Sequence, residues 1–270
     1  MIVAFMPDST PWLGLLRDPD GLGSLQCDGN TLVNPASRRR YRICDSIPVL
    51  LDEADLGPQN LKIKKMYQWM AKGFDLADGI GNFLTGGSLT KFRRQLASRL
   101  GLRPGNRLLY TSIGTGLDLP FLAEQVPLDS MEVVGLDLSM EMLRKCQSRM
   151  RRHTRTGLLL QANAERLPLA GNAFDIVLHV GGINQFDRPA AAVTEMIRVA
   201  RPGARILIAD ETNRSIKSQY QGWNPFTRST YKDMPAEFDP RSWVPAGVND
   251  VVYQEVAKGR MYFLAFTAPP

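Results

Sequence analysis

Cysteine and histidine are scarce in this chain, with three of the first and two of the second in 270 residues. Cys27, Cys44 and Cys146 are too few and too scattered for a disulfide framework, which points to a reducing compartment and a cytoplasmic protein. No apolar run approaches the ~20 residues that a bilayer span requires. The opening Met1-Ile2-Val3-Ala4-Phe5-Met6 runs at once into Pro7 and Asp8 and lacks a basic flank, which argues against a secretory signal. Internal repeats and low-complexity tracts are missing too. What remains is globular composition, 44% hydrophobic and 22% charged, in one large domain or one domain with a small appendage. The net charge is +6, clustered in Arg38-Arg39-Arg40 with Arg42 and in Arg149, Arg151, Arg152 and Arg155. Aromatic residues are not interleaved with either cluster, so a solvated surface is favoured over a nucleic-acid face.

Residues 1–60 are rich in turn formers and read as a small loop-and-strand module, with short strands at 31–33 and 41–43 and a hydrophobic plug at 47–51. Helical patterns follow at 62–71 and 88–100, the second stopped by Gly101 and Pro104-Gly105. From there strands alternate with helices. Apolar runs at 107–111, 131–137, 158–162, 174–180 and 206–209 read as strands. The first is followed by a glycine turn and a helix ending near Pro127. Ser139 suits the N-cap of the next helix, with Glu141 in its first turn and cations in its last. Val193, Met196, Ile197 and Ala200 fall at i, i+3, i+4 and i+7 in a helix over 187–200, which Arg201-Pro202-Gly203 ends. Segments 248–256 and 261–266, around Lys258-Gly259, read as a hairpin. The fold class is α/β, a parallel sheet covered on both faces with an antiparallel strand added at the end.

Ser112-Ile113-Gly114-Thr115-Gly116 lies between the first of these strands and the next helix, at the sheet edge where doubly wound folds bind ligands. Asp137 ends the second strand, where a carboxylate can accept both hydroxyls of a ribose. A dinucleotide enzyme shows the same pairing, although the third glycine of its fingerprint is missing here. A tight turn followed by a helix-capping Asp is the plainer alternative.

Four blocks then come in order. They are Leu109-Tyr110-Thr111-Ser112-Ile113-Gly114-Thr115-Gly116; Val134-Gly135-Leu136-Asp137-Leu138-Ser139; Ala162-Asn163-Ala164-Glu165-Arg166-Leu167-Pro168-Leu169 with Phe174-Asp175-Ile176-Val177; and Glu195-Met196-Ile197-Arg198-Val199-Ala200-Arg201-Pro202-Gly203. Over about residues 61–270 the chain resembles the class I S-adenosylmethionine-dependent methyltransferases, closest to the ubiquinone/menaquinone C-methyltransferase-like group. The resemblance implies a Rossmann-like seven-stranded sheet in the order 3-2-1-4-5-7-6 with strand seven antiparallel, a helical lid over 61–100, and S-adenosyl-L-methionine as cofactor. It implies that Gly114 and Gly116 border the methionine moiety, that Asp137 holds the ribose and that Leu138 flanks the adenine. Asn163 and the backbone of Ala164 would meet the adenine ring. Two positions depart from the family pattern: Tyr110 replaces the acid that ends strand one, and Ser112 replaces the first glycine. Tyr110 and Ser112 would still border the cofactor, with its methionine end held differently.

Residues 1–60 are similar to the small zinc-ribbon modules found with methyltransferases, but the ligand places hold Asp18, Gly21, Asn34 and Ser37. A structural zinc wants four thiolate or imidazole ligands, so a metal-free, ribbon-like module is expected. For the chemistry, His179 at the end of strand four is either a general base or a histidine bonded to neighbouring backbone, and it borders the cofactor place. Tyr67, in the lid, is the second candidate for a catalytic contribution. Asn184 and Gln185, in the loop after Gly181-Gly182, are candidates for orienting polar substrate atoms. The segment 213–243 carries Tyr220, Trp223, Phe226 and Tyr231 and reads as a cover for a small, partly apolar acceptor, with Asn224-Pro225-Phe226 a turn within it. The expected activity is methyl transfer to a small molecule. A lyase or cyclase releasing methylthioadenosine, an RNA methyltransferase and a non-catalytic binding partner are the alternatives.

Overall fold

The computed structural model describes residues 12–84, 86–220 and 238–270. Four short strands open it, β1 (Gln26–Asp28), β2 (Thr31–Val33), β3 (Arg40–Cys44) and β4 (Ile47–Pro48), joined in chain order as an antiparallel sheet. Leu32 and Ile43 of this sheet, with Leu50 just after it, are buried in one cluster with Leu158, Leu160 and Leu169 of the main domain. The Leu50 amide donates to the Gln161 carbonyl at 2.9 Å, and Leu16 bridges to Leu169. An otherwise open sheet edge is covered in this way.

At the positions that the ribbon resemblance matches to ligand places, Asn34 and Ser37 gather with Tyr41 around the buried Asp18 carboxylate. Asn34 Nδ2 donates to Asp18 Oδ2 at 2.5 Å, Ser37 Oγ donates to it at 3.3 Å, and the Tyr41 hydroxyl donates to Oδ1 at 2.7 Å. Burial and this carboxylate push the Tyr41 phenol up. Gly21 stays out on the exposed turn. Among the described residues, no three His, Cys, Asp or Glu side chains are grouped to hold a metal ion.

The main sheet comprises β5 (Arg107–Thr111), β6 (Glu132–Asp137), β7 (Gly157–Gln161), β8 (Phe174–Val180), β9 (Ala200–Glu211), β10 (Val252–Val256) and β11 (Met261–Thr267). Their order is β10-β11-β9-β8-β5-β6-β7, which is 3-2-1-4-5-7-6 when the seven are counted along the chain. β11 runs antiparallel to both β9 and β10, and the other pairings are parallel. Strands buried on both faces explain the continuous apolar runs: Leu109, Val134 and Val177 face one core, and Leu108, Val133 and Leu178 the other. The Arg201-Pro202-Gly203 stretch differs from expectation, because β9 starts at Ala200. Phe174 pairs with Ala200 and Ile176 with Arg205, so the extra residues bulge out, with Gly203 at φ 77°.

The helices are α1 (Pro58–Leu84), α2 (Ser88–Ser98), α3 (Leu119–Ala123), α4 (Met140–Met150), α5 (Pro189–Val199) and α6 (Asn213–Tyr220). Ser139 caps α4 as expected, accepting from the Met142 amide at 3.3 Å. α3 is a single short helix that stops well before Pro127. α1 starts earlier and runs further than its periodicity predicts, because tertiary contacts support both ends. At its start the Asp187 carboxylate accepts from the Gln59 and Asn60 amides at 3.0 and 2.8 Å. That carboxylate would lie 2.3–2.6 Å from a Cβ at position 57, so only glycine admits the cap there.

Candidate active site

Parallel pairing of Thr111 with Leu136 brings the turn after β5 beside the end of β6. The turn needs left-handed backbone three times, at Ser112 (φ 56°), Gly114 (φ 56°) and Gly116 (φ 75°). A non-glycine residue in that region costs about 1–2 kcal/mol, so Ser112 holds a glycine-type conformation under strain. The turn is tied to Asp137. Its Oδ2 accepts from the Gly114 amide and its Oδ1 from the Ser139 amide, both at 2.9 Å. The carboxylate keeps acceptor capacity for a further donor, and the residue retains a partly exposed edge. Burial pushes this carboxyl up to about 6 against the pull of the Ser139, Gly114 and Leu138 amides.

The two glycines have different reasons to be glycine. A Cβ on Gly114 would meet nothing within 4 Å, which leaves room above the turn. A Cβ on Gly116 would lie 2.8 Å from both Cys146 Sγ and Leu119 Cδ1. Close packing of α3 and α4 thus calls for a glycine at 116 on its Cβ side. Leu138 is partly exposed, and its carbonyl accepts from Gln161 Nε2 at 2.9 Å. Asn163 is buried, with its side-chain carbonyl accepting from the Glu165 amide at 2.9 Å, and Ala164 is buried beside it.

Tyr110 departs from its expected place along a ligand. Its side chain is buried and the phenol donates to Asp118 Oδ2. Burial and this carboxylate push the phenol far up. Arg93 Nε donates to Asp118 Oδ1 at 3.1 Å, and the same guanidinium forks onto Asp78 at 2.6 and 2.9 Å. The carboxylate missing from the end of β5 thus reappears eight residues later, just before α3, and binds α1 and α2 to the turn. A second tie lies one helical turn earlier on α1. Asp75 accepts from Thr115 Oγ1 at 2.6 Å and from Arg149 Nη2 at 2.9 Å, while Arg149 also donates to the Thr115 carbonyl. Sequence reasoning missed both networks. Arg149 was legible only as a cation at a helix end, and Asp118 drew no reading from the sequence. Tyr67, on the same helix, packs edge-on to Phe74 with centroids 6.0 Å apart.

His179 offers no open edge. It is fully buried, Nδ1 sits 2.9 Å from Thr111 Oγ1, and Nε2 has no hydrogen-bond partner among the described residues. Burial holds the imidazole down at about 3, only partly offset by the backbone of Gly181. A neutral, enclosed ring of this kind fits the packing alternative and is a poor base near pH 7. Asn184 is committed on three sides: its amide N–H to Asp210 at 3.3 Å, Nδ2 to the Glu211 carbonyl at 2.6 Å, and Oδ1 to the Tyr262 hydroxyl at 3.0 Å. Gln185 is buried, and its Oε1 has no partner among the described residues. Burial also pushes Asp210 up to about 6. Asn184 opens onto a cavity of about 430 Å³ lined also by Thr212, Arg214, Arg241, Tyr253 and Tyr262. Trp223, Asn224-Pro225-Phe226 and Tyr231 lie outside the described residues.

Residues 109–208 match a family model described as a methyltransferase domain. The demethylmenaquinone methyltransferase of Beutenbergia cavernae is 32% identical over 161 residues, 59% of this chain and 62% of that protein. The ubiquinone/menaquinone biosynthesis C-methyltransferase UbiE of Pseudomonas putida is 30% identical over 175 residues, 62% of this chain and 67% of that protein. The chain thus spans less than two thirds of the first relative's length. A solved S-adenosylmethionine-dependent methyltransferase from Aquifex aeolicus superposes with a TM-score of 0.53 at 20% identity, covering 65% of this chain and 89% of that one, which shows a shared fold. With the matched block spanning β5 to β9 and the Pseudomonas protein covered over two thirds of its length, the chain belongs to the class I S-adenosylmethionine-dependent methyltransferases.

Proposed function

We propose that this chain binds S-adenosylmethionine in the crevice above Gly114 and beside Asp137, and transfers its methyl group to a small, partly apolar acceptor. The observation that carries the reading is the Asp137 carboxylate. It is held at the carboxyl end of β6 by the Gly114 and Ser139 amides, with the Leu138 amide also acting on it, and it keeps acceptor capacity for a further donor. Ribose hydroxyls are donors of the matching kind. Leu138, Asn163 and Ala164 would border the adenine, and the open space over Gly114 would take the methionine portion. When bound, the cofactor supplies an electrophilic sulfonium methyl.

The chain's own part is chiefly to hold the acceptor and exclude water, since positioning can supply most of the rate for a reactive nucleophile. The cavity bounded by Asn184, Tyr253 and Tyr262 is the acceptor place we favour. Its size suits small-molecule sites, and the demethylmenaquinone named for the Beutenbergia relative suggests a quinol-type ring. Residues 1–60 we read as a ribbon module whose ligand places have become the Asp18 hydrogen-bond cluster. The nucleic-acid alternative loses part of its basic face, since Arg149 turns inward to Asp75 and Thr115.

The experiment is product analysis after incubation with S-adenosylmethionine and a demethylated naphthoquinol. S-adenosylhomocysteine with a methylated acceptor is expected. Methylthioadenosine instead would favour the lyase or cyclase reading, which the Tyr110 replacement at the end of β5 keeps alive. A related expectation concerns His179. His179→Gln should keep turnover within about threefold and leave the pH–rate profile unchanged. Loss of a true general base would cost about 100-fold or more, and a drop of that size would restore His179 to the mechanism.

A further inference from the structure

Seven large apolar side chains stand exposed among the described residues, and four of them lie on α1: Trp69 (83%), Leu76 (70%), Ile80 (51%) and Phe83 (83%). At 100° per residue these four fall within an arc of about 60°, as a stripe about 21 Å long at 1.5 Å per residue. Lys65 and Lys72 are exposed on the same side of the helix. Lys145 of α4 donates to the Lys72 carbonyl at 3.3 Å, which brings a third ammonium close. The helix's carboxylates point the other way, Asp75 onto Arg149 and Asp78 onto Arg93. The outward face of α1 is therefore apolar and positive.

Its shape narrows the choice of partner. A Cβ on Gly73 or on Gly79 would meet nothing within 4 Å, so no neighbouring element among the described residues walls the helix there. Trp69 and Phe83 protrude rather than line a recess. Protruding aromatic and aliphatic side chains flanked by lysines suit insertion into a soft, anionic interface better than a fit to a rigid groove. We propose that the outer face of α1 docks on an anionic lipid bilayer, with Trp69, Leu76, Ile80 and Phe83 entering the interface and Lys65, Lys72 and Lys145 meeting headgroup phosphates. The helix lies on the surface and does not cross it, since no helix among the described residues is long and apolar enough to span a membrane. This docking goes beyond the methyl-transfer reading and does not depend on it.

The test is flotation of the full chain with vesicles of phosphatidylcholine and phosphatidylglycerol in equal parts, against vesicles of phosphatidylcholine alone. Retention on the anionic vesicles is expected, falling as salt rises. Trp69 is exposed while Trp12 and Trp243 are buried. With the fourth tryptophan removed as Trp223→Phe, a blue shift of emission on binding should remain, and it should vanish when Trp69→Phe is added. Leu76→Ser with Phe83→Ser should lower partitioning at least about tenfold through lost apolar burial. Lys65→Glu with Lys72→Glu should do the same through lost charge attraction. Far-UV circular dichroism and S-adenosylmethionine titration of the same samples report folding and the cofactor site separately. The proposal is overturned if folded protein is not retained, if either pair leaves retention intact, or if the stripe instead forms a dimer that Leu76→Ser with Phe83→Ser abolishes.

Discussion

Asp137→Ala is expected to weaken S-adenosylmethionine binding by about 100-fold. Hydrogen bonds to a charged group contribute about 1.5–3 kcal/mol each, and ~2.7 kcal/mol corresponds to 100-fold in a dissociation constant. The substitution also strips the Gly114 and Ser139 amides of their acceptor, so the turn loses the tie that shapes the crevice. Asp137→Asn keeps one acceptor oxygen and should fall between the wild type and alanine, near tenfold. Calorimetric titration reads both. Unchanged affinity in Asp137→Ala would remove this carboxylate from the cofactor site.

The largest loss of stability is expected from Asp118→Ala. That carboxylate is buried and receives both the Tyr110 phenol and Arg93 Nε. Two hydrogen bonds to a charged group are lost, at about 1.5–3 kcal/mol each, and the Tyr110 phenol is left buried without its acceptor, while Arg93 keeps Asp78. At about 2–4 °C per kcal/mol for a domain of comparable size, the melting temperature should fall by roughly 10 °C. Tyr110→Phe leaves Arg93 paired with both Asp118 and Asp78, and should lower melting by only a few degrees, in keeping with one lost hydrogen bond at about 1–3 kcal/mol. Equal effects from the two variants would show that Arg93 does not depend on Asp118, contrary to the network described.

How well the sequence foretold these features depends on how local each one is. The strands of the main sheet were legible because burial on both faces leaves uninterrupted apolar runs such as Leu108-Leu109-Tyr110. The Asp137 crevice was legible because turn glycines and a strand-ending carboxylate lie within one βαβ unit. α1 was legible only in its first half. Gly73 and Gly79 are poor helix formers, and the ion pairs that support its second half reach Arg93 and Arg149, residues 15 and 74 positions away. Periodicity carries no trace of such partners. The same holds for Asp118: nothing in its neighbours says that a phenol on β5 and a guanidinium on α2 converge there. His179 was placed correctly at the end of strand four, but its enclosure by Phe186 and Thr111 depends on how the loop after β8 folds back.

Titration of S-adenosylmethionine into the wild type and Asp137→Asn across pH tests the central claim most directly. Burial raises the Asp137 carboxyl from 3.8 to about 6, so the group is ionised above that value and holds a proton below it. Its contribution to folding stability is therefore greatest at acid pH and is lost as pH rises from about 4 to about 6. Cofactor affinity has the opposite sign, because ribose hydroxyls need the ionised, accepting form. The account predicts constant affinity in the wild type above about pH 7 and a loss approaching tenfold per pH unit below about pH 6. In Asp137→Asn, binding should be weaker at neutral pH and nearly flat across the same range. Identical pH profiles in the two proteins, or equal affinities at pH 8, would contradict it.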